Sequence, residues 1–299
     1  MMEVNLNLTD QATAFGATNA PQVTAVVNKK RNPYESLSLK LGAWNVRTTN
    51  DSDGSIRPER ATAIICKELD KAAIDICALS EVRRPGTGNL VEKSHTIFWS
   101  GSDKREAGVG FAIHNDLLNH SDLNPIPIND RISTLRVMLK DDDYLTLISL
   151  YGPTMQRTQE EKEQFYEQLG DCLENARNDI IIVLGDLNAR VGKDWSSWPS
   201  VIGKHGVGNM NSNGLMLLEF CSRYQLSVMG TMFQMKNSLK TTWQHPRSKH
   251  FHQIDHVLAN ARAKQYINIT KIDPNADCFT DHKLLMSSVT SEFNGKRKG

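Results

Sequence analysis

Apolar runs in this chain end repeatedly in a polar side chain that could do chemistry. The instances are Trp44-Asn45, Ser80-Glu81, Tyr151-Gly152-Pro153, Gly185-Asp186-Leu187-Asn188, Ile254-Asp255 and Asp281-His282. Strand ends are where a rigid core meets solvent, so side chains there can be held for reaction. Any one such carboxylate is more often a turn former or a helix cap. Together they form an inventory. Glu81, Asp186, Asp255 and Asp281 offer oxygen ligands or proton-handling groups. Asn45 and Asn188 are neutral donors and acceptors, and His282 and Tyr151 can meet a phosphate or a developing charge. An oxygen-rich set with few clustered His or Cys residues suits Mg2+ or Mn2+ rather than zinc. A metal polarises a phosphodiester, a carboxylate activates water, and an imidazolium stabilises the transition state. The residues point to metal-dependent phosphoester hydrolysis, with turn and cap roles for the same residues open beside it.

Those side chains need strands to hold them. Leu37, Leu39, Leu41 and Ala43 alternate with Ser38, Lys40 and Gly42, which predicts a strand ending near Asn45. Pro58 precedes a helical stretch carrying Ile64, Ile65, Leu69 and Ala73. A second strand runs from Ile74 to Leu79, and further strands are predicted over 96–99, 109–113, 133–139 and 144–149. Asp141, Asp142 and Asp143 mark a hairpin turn between the last two. Residues 160–177 and 214–223 read as helices. The wholly apolar run Ile180 to Leu184 fits a central strand buried on both faces. Late strands are expected over 253–258 and 284–289. Many strands, few helices and no internal repeat favour an α+β sheet sandwich.

The chain has 299 residues, and Lys+Arg (35) nearly cancels Asp+Glu (34). Such a balance excludes a histone-like tail mechanism but leaves room for a local basic patch. Residues 236–271 supply one: Lys236, Lys240, Arg247, Lys249, Arg262, Lys264 and Lys271 against Asp255 alone, a stretch that either tracks phosphates or is merely solvated. Five widely spaced cysteines without a CxxC pair weaken a disulfide scaffold and a zinc ribbon, and nothing supports zinc at His245, His250, His252 and His256. Gly108-Val109-Gly110 lacks the spacing of a nucleotide fingerprint. Asn213-Gly214 could position a phosphate or cap the following helix. The expected partition is a disordered arm over 1–34, which ends near the basic Lys29-Lys30-Arg31, one domain over 35–292, and a flexible tail over 293–299 with Lys296-Arg297-Lys298. No membrane span or signal segment is read, so an intracellular monomer is expected, in the nucleus rather than the cytoplasm.

The stretches LGAWNVRTT, ALSEVRR, GVGFAI, LISLYGPT, IIVLGDLNARVG, NSNGLMLLEFC, TTWQHP, HQIDHVLAN and CFTDHKLL carry a family resemblance. In this order they resemble the endonuclease/exonuclease/phosphatase superfamily. Within it the chain is similar to the apurinic-endonuclease-like domain of non-LTR retrotransposons of the RTE/BovB type. The resemblance spans about Leu37 to Val289, with GDLNARVG and the later TDH as its strongest combined signature. It implies a four-layered, DNase I-like α/β sandwich: two packed, mostly antiparallel sheets flanked by helices, with the site at one sheet edge. It implies Mg2+, with Mn2+ as a substitute, held by Glu81 with Asn45 and Asp281 near. Asp186 would orient or deprotonate the attacking water, and Asn188 would hold Asp186 or the phosphate. His282 would bind the scissile phosphate with Asp255 fixing its ring, and Tyr151 would meet the phosphate or the leaving oxygen. Thr242 and Trp243 fall in the family's DNA-facing region, beside Asn213 as a substrate contact. The implied reaction is nicking of double-stranded DNA to leave a 3′ hydroxyl and a 5′ phosphate. Two positions depart from the family pattern. Arg47 stands where apurinic endonucleases have Asp, which weakens abasic-site repair and offers a phosphate contact instead. Ser80 stands where Gln is common. An RNA nuclease or other phosphoesterase of the same fold, and a catalytically silent interaction domain from a mobile element, are the competing readings. The length accommodates the nuclease domain without the polymerase that usually follows it.

Overall fold

The computed structural model describes residues 25–26, 37–51, 59–119, 121–139 and 143–291. Pro58, Asp141, Asp142, both terminal basic triplets and almost all of the 1–34 arm lie outside the described residues. Ala25–Val26 of that arm pairs in parallel with the strand Ile132–Met138.

Two large sheets stack face to face with helices outside them. The first has the order Ile267–Asp273, Leu284–Ser291, Leu37–Asn45, Ile76–Ser80, Val109–His114, His95–Ser100, Thr87–Val91. The second runs Ile132–Met138, Tyr144–Tyr151, Ile180–Asp186, Asp255–Ala259, Ser227–Val228, with Ala25–Val26 at its edge and Ile126–Pro127 on Ile132–Met138. Most pairings are antiparallel. Each sheet holds a parallel pair near its centre: Leu37–Asn45 with Ile76–Ser80, and Tyr144–Tyr151 with Ile180–Asp186.

Burial explains the layering. Along Ile180–Asp186 the even residues Ile180, Ile182 and Leu184 face the other sheet, where they meet Leu41, Ala43, Ile76 and Ala78. The odd residues Ile181 and Val183 face outward, onto Phe165, Leu169, Leu173, Leu217 and Leu218 of the helices Gln159–Asn175 and Ser212–Arg223. On the far side, Trp44, Cys77, Leu79 and Leu284 take the helix Ala61–Lys71 through Ile64, Ile65 and Leu69. A strand covered on both faces needs no polar alternation, which is why 180–184 is apolar throughout. The Gln159–Asn175 helix opens on a capping box in which Thr158 and Glu161 satisfy each other's backbone amides. All five cysteines are buried, and burial pushes the Cys66 thiol up to about 12.

The inner-face alternation turns polar at its last rung. Leu39, Leu41 and Ala43 lead by twos to Asn45, and Ile76 and Ala78 lead to Ser80. Leu145, Leu147 and Ser149 lead to Tyr151, and Ile182 and Leu184 lead to Asp186. Ala259 and Val257 lead back to Asp255, which stands opposite Asp186 in register. Because the strands Leu37–Asn45, Ile76–Ser80, Tyr144–Tyr151 and Ile180–Asp186 all end on the same side, the site forms across one end of the sandwich. The resemblance implied a site at one sheet edge, and here that edge is the one formed by the strand ends. Ser80 ties the sheets together there: its hydroxyl donates to the Leu150 carbonyl at 3.1 Å and accepts the Asp186 amide at 3.4 Å.

The chain must pass close at this end. Gly185 has φ +150°, and a Cβ there would stand 2.0 Å from the Leu150 carbonyl oxygen. Gly185→Ala should therefore cost about 2–4 kcal/mol. Urea unfolding checks this through a lower midpoint at an unchanged slope.

Candidate active site

Asn45 sits between the two sheets. Its Nδ2 donates to Glu81 Oε1 and to Asp186 Oδ2, both at 2.9 Å. Its Oδ1 accepts the Arg47 amide at 3.0 Å, so the amide orientation is fixed by the chain beside it. In this arrangement Asn45 bridges two carboxylates as a donor, rather than offering the oxygen that the metal-ligand expectation required.

Asp186 is buried and forms part of the cleft floor. Its Oδ1 accepts the Asn188 amide at 2.8 Å, and the Asn188 side chain donates to the Gly152 carbonyl. His282 Nδ1 lies 2.9 Å from Asp255 Oδ2, and its Nε2 lies 4.0 Å from Asp186 Oδ2. Ligand atoms of Asp186, Asp255 and His282 all fall within 4.8 Å of one another, a group that could hold a metal ion. Glu81 stands on the other side of Asn45. Its Oε1 also accepts the Tyr151 hydroxyl at 3.0 Å, and Arg83 approaches its Oε2 at 2.6 Å. Asp281 takes the Trp243 indole N–H at 2.8 Å and has Arg47 3.7 Å away. The Trp243 ring lies 6.2 Å from the His282 ring, tilted by 36°.

The structure thus brings together Asn45, Arg47, Glu81, Tyr151, Asp186, Asn188, Trp243, Asp255, Asp281 and His282. Two expected substrate contacts stand behind the wall instead. Thr242 is fully buried, and its hydroxyl accepts the Ile254 and Asp255 amides, both at 3.2 Å. Asn213 is buried too, donating to the carbonyls of Pro153 and Asn188, and Asn211 is the residue that caps the helix. The 236–271 basic stretch is split. Lys240 is buried on the His205 carbonyl. Arg262 bonds the Asn178 carbonyl and Asp143, next to Asp179 at the opposite end of the sheet. Lys264 reaches Ser227. His256 is buried on the Ala189 carbonyl.

Residue-type reasoning missed several groups in the cleft, which has a volume of about 530 Å³, room for a nucleotide-sized group. Arg83, Arg190, Gln156, Met155, His245 and His252 line it. Arg83 and Arg190 lie inside the stretches ALSEVRR and IIVLGDLNARVG, which by themselves gave neither a role. His245 and His252 are placed by the small hairpin Trp243–Gln244 with Phe251–His252, whose register sets Trp243 opposite His252.

Residues 42–282 match the Endonuclease/Exonuclease/phosphatase family. The chain is 31% identical over 249 residues to craniofacial development protein 2 of Bos taurus, covering 83% of this chain and 40% of that protein. It thus spans about two fifths of the curated relative's length. Among solved structures it resembles the endonuclease domain of TRAS1, a telomere-specific non-LTR retrotransposon, with a TM-score of 0.56, 14% identity and coverage of 84% of this chain and 98% of that one. It also resembles an AP endonuclease, LMAP, from Leishmania major, with a TM-score of 0.62, 12% identity and coverage of 85% and 88%. At these identities the likeness to the two structures is one of fold.

The electrostatics fit a hard cation. Burial and the neighbouring Asp255 charge push the Asp186 carboxyl up from 3.8 to about 7, against the opposing pull of His282. Asp255 Oδ1 is buried without a hydrogen-bond partner. An acidic set this short of positive charge, built mainly of oxygen donors, suits a divalent ion, with Glu81, Asp186 and Asp255 the carboxylates available to it. Burial alone would lower the His282 imidazole, but Asp255 outweighs it and the ring is raised from 6.5 to about 9. A raised imidazole contributes stability that is complete below 6.5 and lost as pH rises through about 9. The raised Asp186 carboxyl acts in the same direction, its protonated form losing its advantage as pH rises through about 7. In chelator, unfolding free energy should therefore fall from about pH 4 to about pH 9, through Asp186 between 3.8 and about 7 and through His282 between 6.5 and about 9. His282→Gln should flatten the upper part of that fall; an unchanged slope in the variant would contradict the assignment.

Proposed function

Since the chain belongs to the endonuclease/exonuclease/phosphatase family, we propose that it is a Mg2+-dependent DNA endonuclease. It hydrolyses a phosphodiester bond to leave a 3′ hydroxyl and a 5′ phosphate. The observation that carries this reading is the pairing of a buried acid, Asp186, with a charged His282–Asp255 dyad 4.0 Å away, at the floor of an open cleft.

Mg2+ bound against Glu81 and its neighbouring carboxylates, with Mn2+ as a substitute, supplies charge neutralisation and polarisation of the phosphoryl group. The chain's own residues do the rest. Asp186 Oδ2 holds the attacking water and takes its proton. A carboxyl raised toward neutral pH is a stronger base than an ordinary one. The Asn188 amide and the Asn45 side chain fix Asp186, so little reorganisation is left for the reaction. His282 stays cationic through Asp255 and donates Nε2–H to a non-bridging phosphate oxygen, where negative charge grows. Tyr151 remains a neutral phenol, because burial and the Glu81 and Asp186 charges raise its pKa; it acts as a donor that positions Glu81 or the phosphate. Water attacks phosphorus, the bond to the 3′ oxygen breaks, that oxygen takes a proton from solvent in the open cleft to become the 3′ hydroxyl, and the phosphate stays on the 5′ side of the downstream nucleotide.

Double-stranded DNA is the substrate we assign, and the nucleus the compartment in which it is met. A cleft open to solvent and lined by Arg47, Arg190 and Trp243 supports a polyanion over a small enclosed ligand. Descent from a mobile element is supported by the retrotransposon likeness. A catalytically silent derivative is disfavoured, since Asp186, Asp255, His282, Glu81 and Tyr151 are all in place.

Supercoiled plasmid tests the proposal. The protein should nick it with Mg2+ and not with chelator. Asp186→Asn and His282→Ala should each lose about 10²- to 10⁴-fold in rate. No nicking by the parent protein, or nicking by both variants at the parent's rate, would overturn it. A panel of plain duplex, abasic duplex, RNA and phosphoinositide ranks the substrates, and the plain duplex should lead.

A further inference from the structure

Both oxygens of the Glu81 carboxylate are engaged. Oε1 accepts from Asn45 and Tyr151, both well fixed, and Oε2 accepts from Arg83 at 2.6 Å. The three donors differ in freedom. Asn45 is buried and Tyr151 nearly so, whereas the Arg83 side chain is 45% exposed and lines the cleft. Its contact also differs from the chain's structural arginine pairs. Arg60 grips Glu92, and Arg136 grips Asp179, through two guanidinium nitrogens each, with Thr62 and Thr146 as further donors. Arg83 touches Glu81 through one nitrogen. A single-nitrogen contact on a half-exposed side chain is easier to break than a two-nitrogen grip.

The backbone presets this pairing. Glu81 and Arg83 both sit in the left-handed region, at φ +56° and +53°. The amides of Val82 and Arg83 are pinned on the Gly108 and Ala107 carbonyls. Such strain is held where a position matters. Here it fixes the place from which the guanidinium meets Glu81 Oε2.

We propose that Arg83 is a gate on Glu81, exchanging the carboxylate for a substrate phosphate when a divalent cation arrives. This rests on the reading of Glu81 as the metal-side carboxylate of a phosphodiesterase. Two cations sharing Oε2 would repel within a few ångströms, so the metal and Arg83 are alternative partners of that oxygen. Released, the guanidinium reaches into the cleft, where its fork matches a phosphate. Metal and phosphate binding are then linked, and each strengthens the other.

Arg83→Gln tests the gate, with Arg83→Lys beside it and a thermal melt to show that both fold. Titration of the free protein with Mn2+ alone, followed by electron paramagnetic resonance, should show Arg83→Gln binding about three- to tenfold more tightly than the parent. Arg83→Lys should fall between. With plasmid, Arg83→Gln should raise KM while metal affinity improves, two shifts of opposite sign that a merely structural role would not give. Unchanged or weaker Mn2+ binding by Arg83→Gln overturns the gate even if the parent nicks DNA. Tighter Mn2+ binding by the variant supports the gate even if the parent cleaves no nucleic acid, in which case the endonuclease reading alone falls.

Discussion

One side-chain amide holds two carboxylates from opposite sheets, and the site depends on it. Asn45 Nδ2 reaches Glu81 beside its own strand and Asp186 across the interface. A buried acid and a part-buried one so near each other repel and are costly to desolvate. The amide supplies a donor to each without adding charge. Around it, the structure balances the remaining charge by four separate means: His282 against Asp255, Arg83 on Glu81, Arg47 near Asp281, and a raised proton affinity at Asp186. None fully neutralises the cluster, and the residual acidity at Asp186 and Asp255 is what makes the site receptive to a divalent ion.

The sandwich makes that bridge possible because its inner face has a strict period. Residues two apart along a strand share a face, so the apolar rungs that pack the sheets continue into the polar rung at their end. Asn45, Ser80, Tyr151, Asp186 and Asp255 were each legible as strand-end polar residues. Stepping by twos from Leu41, Ala78, Leu147, Leu184 and Val257 would have shown that they also share one interior. Where the period is broken, the sequence was harder to read. The strand Ile267–Asp273 escaped notice because a bulge between Ile267 and Ile269 shifts its register, so that Ile267, Thr270 and Ile272 are the buried residues. Thr87–Val91 has no buried residue and so no apolar signature at all.

Within the site, residue types were legible and orientations were not. A sequence names an asparagine but not which end of its amide faces the acids; the Arg47 backbone decides that. Thr242 and Trp243 are adjacent, yet one is buried under the wall and the other is the wall, because consecutive strand residues point to opposite sides. The run of cations over 236–271 looked like one patch in sequence. The strand Asp255–Ala259 carries the chain from one end of the sandwich to the other in the middle of that run, leaving Arg262 and Lys264 on the far side.

Four non-glycine residues that line the cleft, Arg47, Glu81, Arg83 and Asn188, have positive φ. Each left-handed residue costs about 1–2 kcal/mol. The cause is common to all four. A strand that ends in a functional side chain must turn away at once without turning that side chain with it, and only an uncommon backbone conformation does both. After Asn45 the turn is closed by the Thr48 amide on the Val46 carbonyl, and after Ser80 by the Val82 and Arg83 amides on the neighbouring loop. These local bonds are too few to hold such conformations alone. The strands on which the turns stand are fixed by apolar packing on both faces, and that packing is worth far more than the local strain. The precision of the polar rung is therefore a property of the hydrophobic layers behind it: loosening Leu184 or Ala43 would first be felt at Asp186 and Asn45, one step further along the same face.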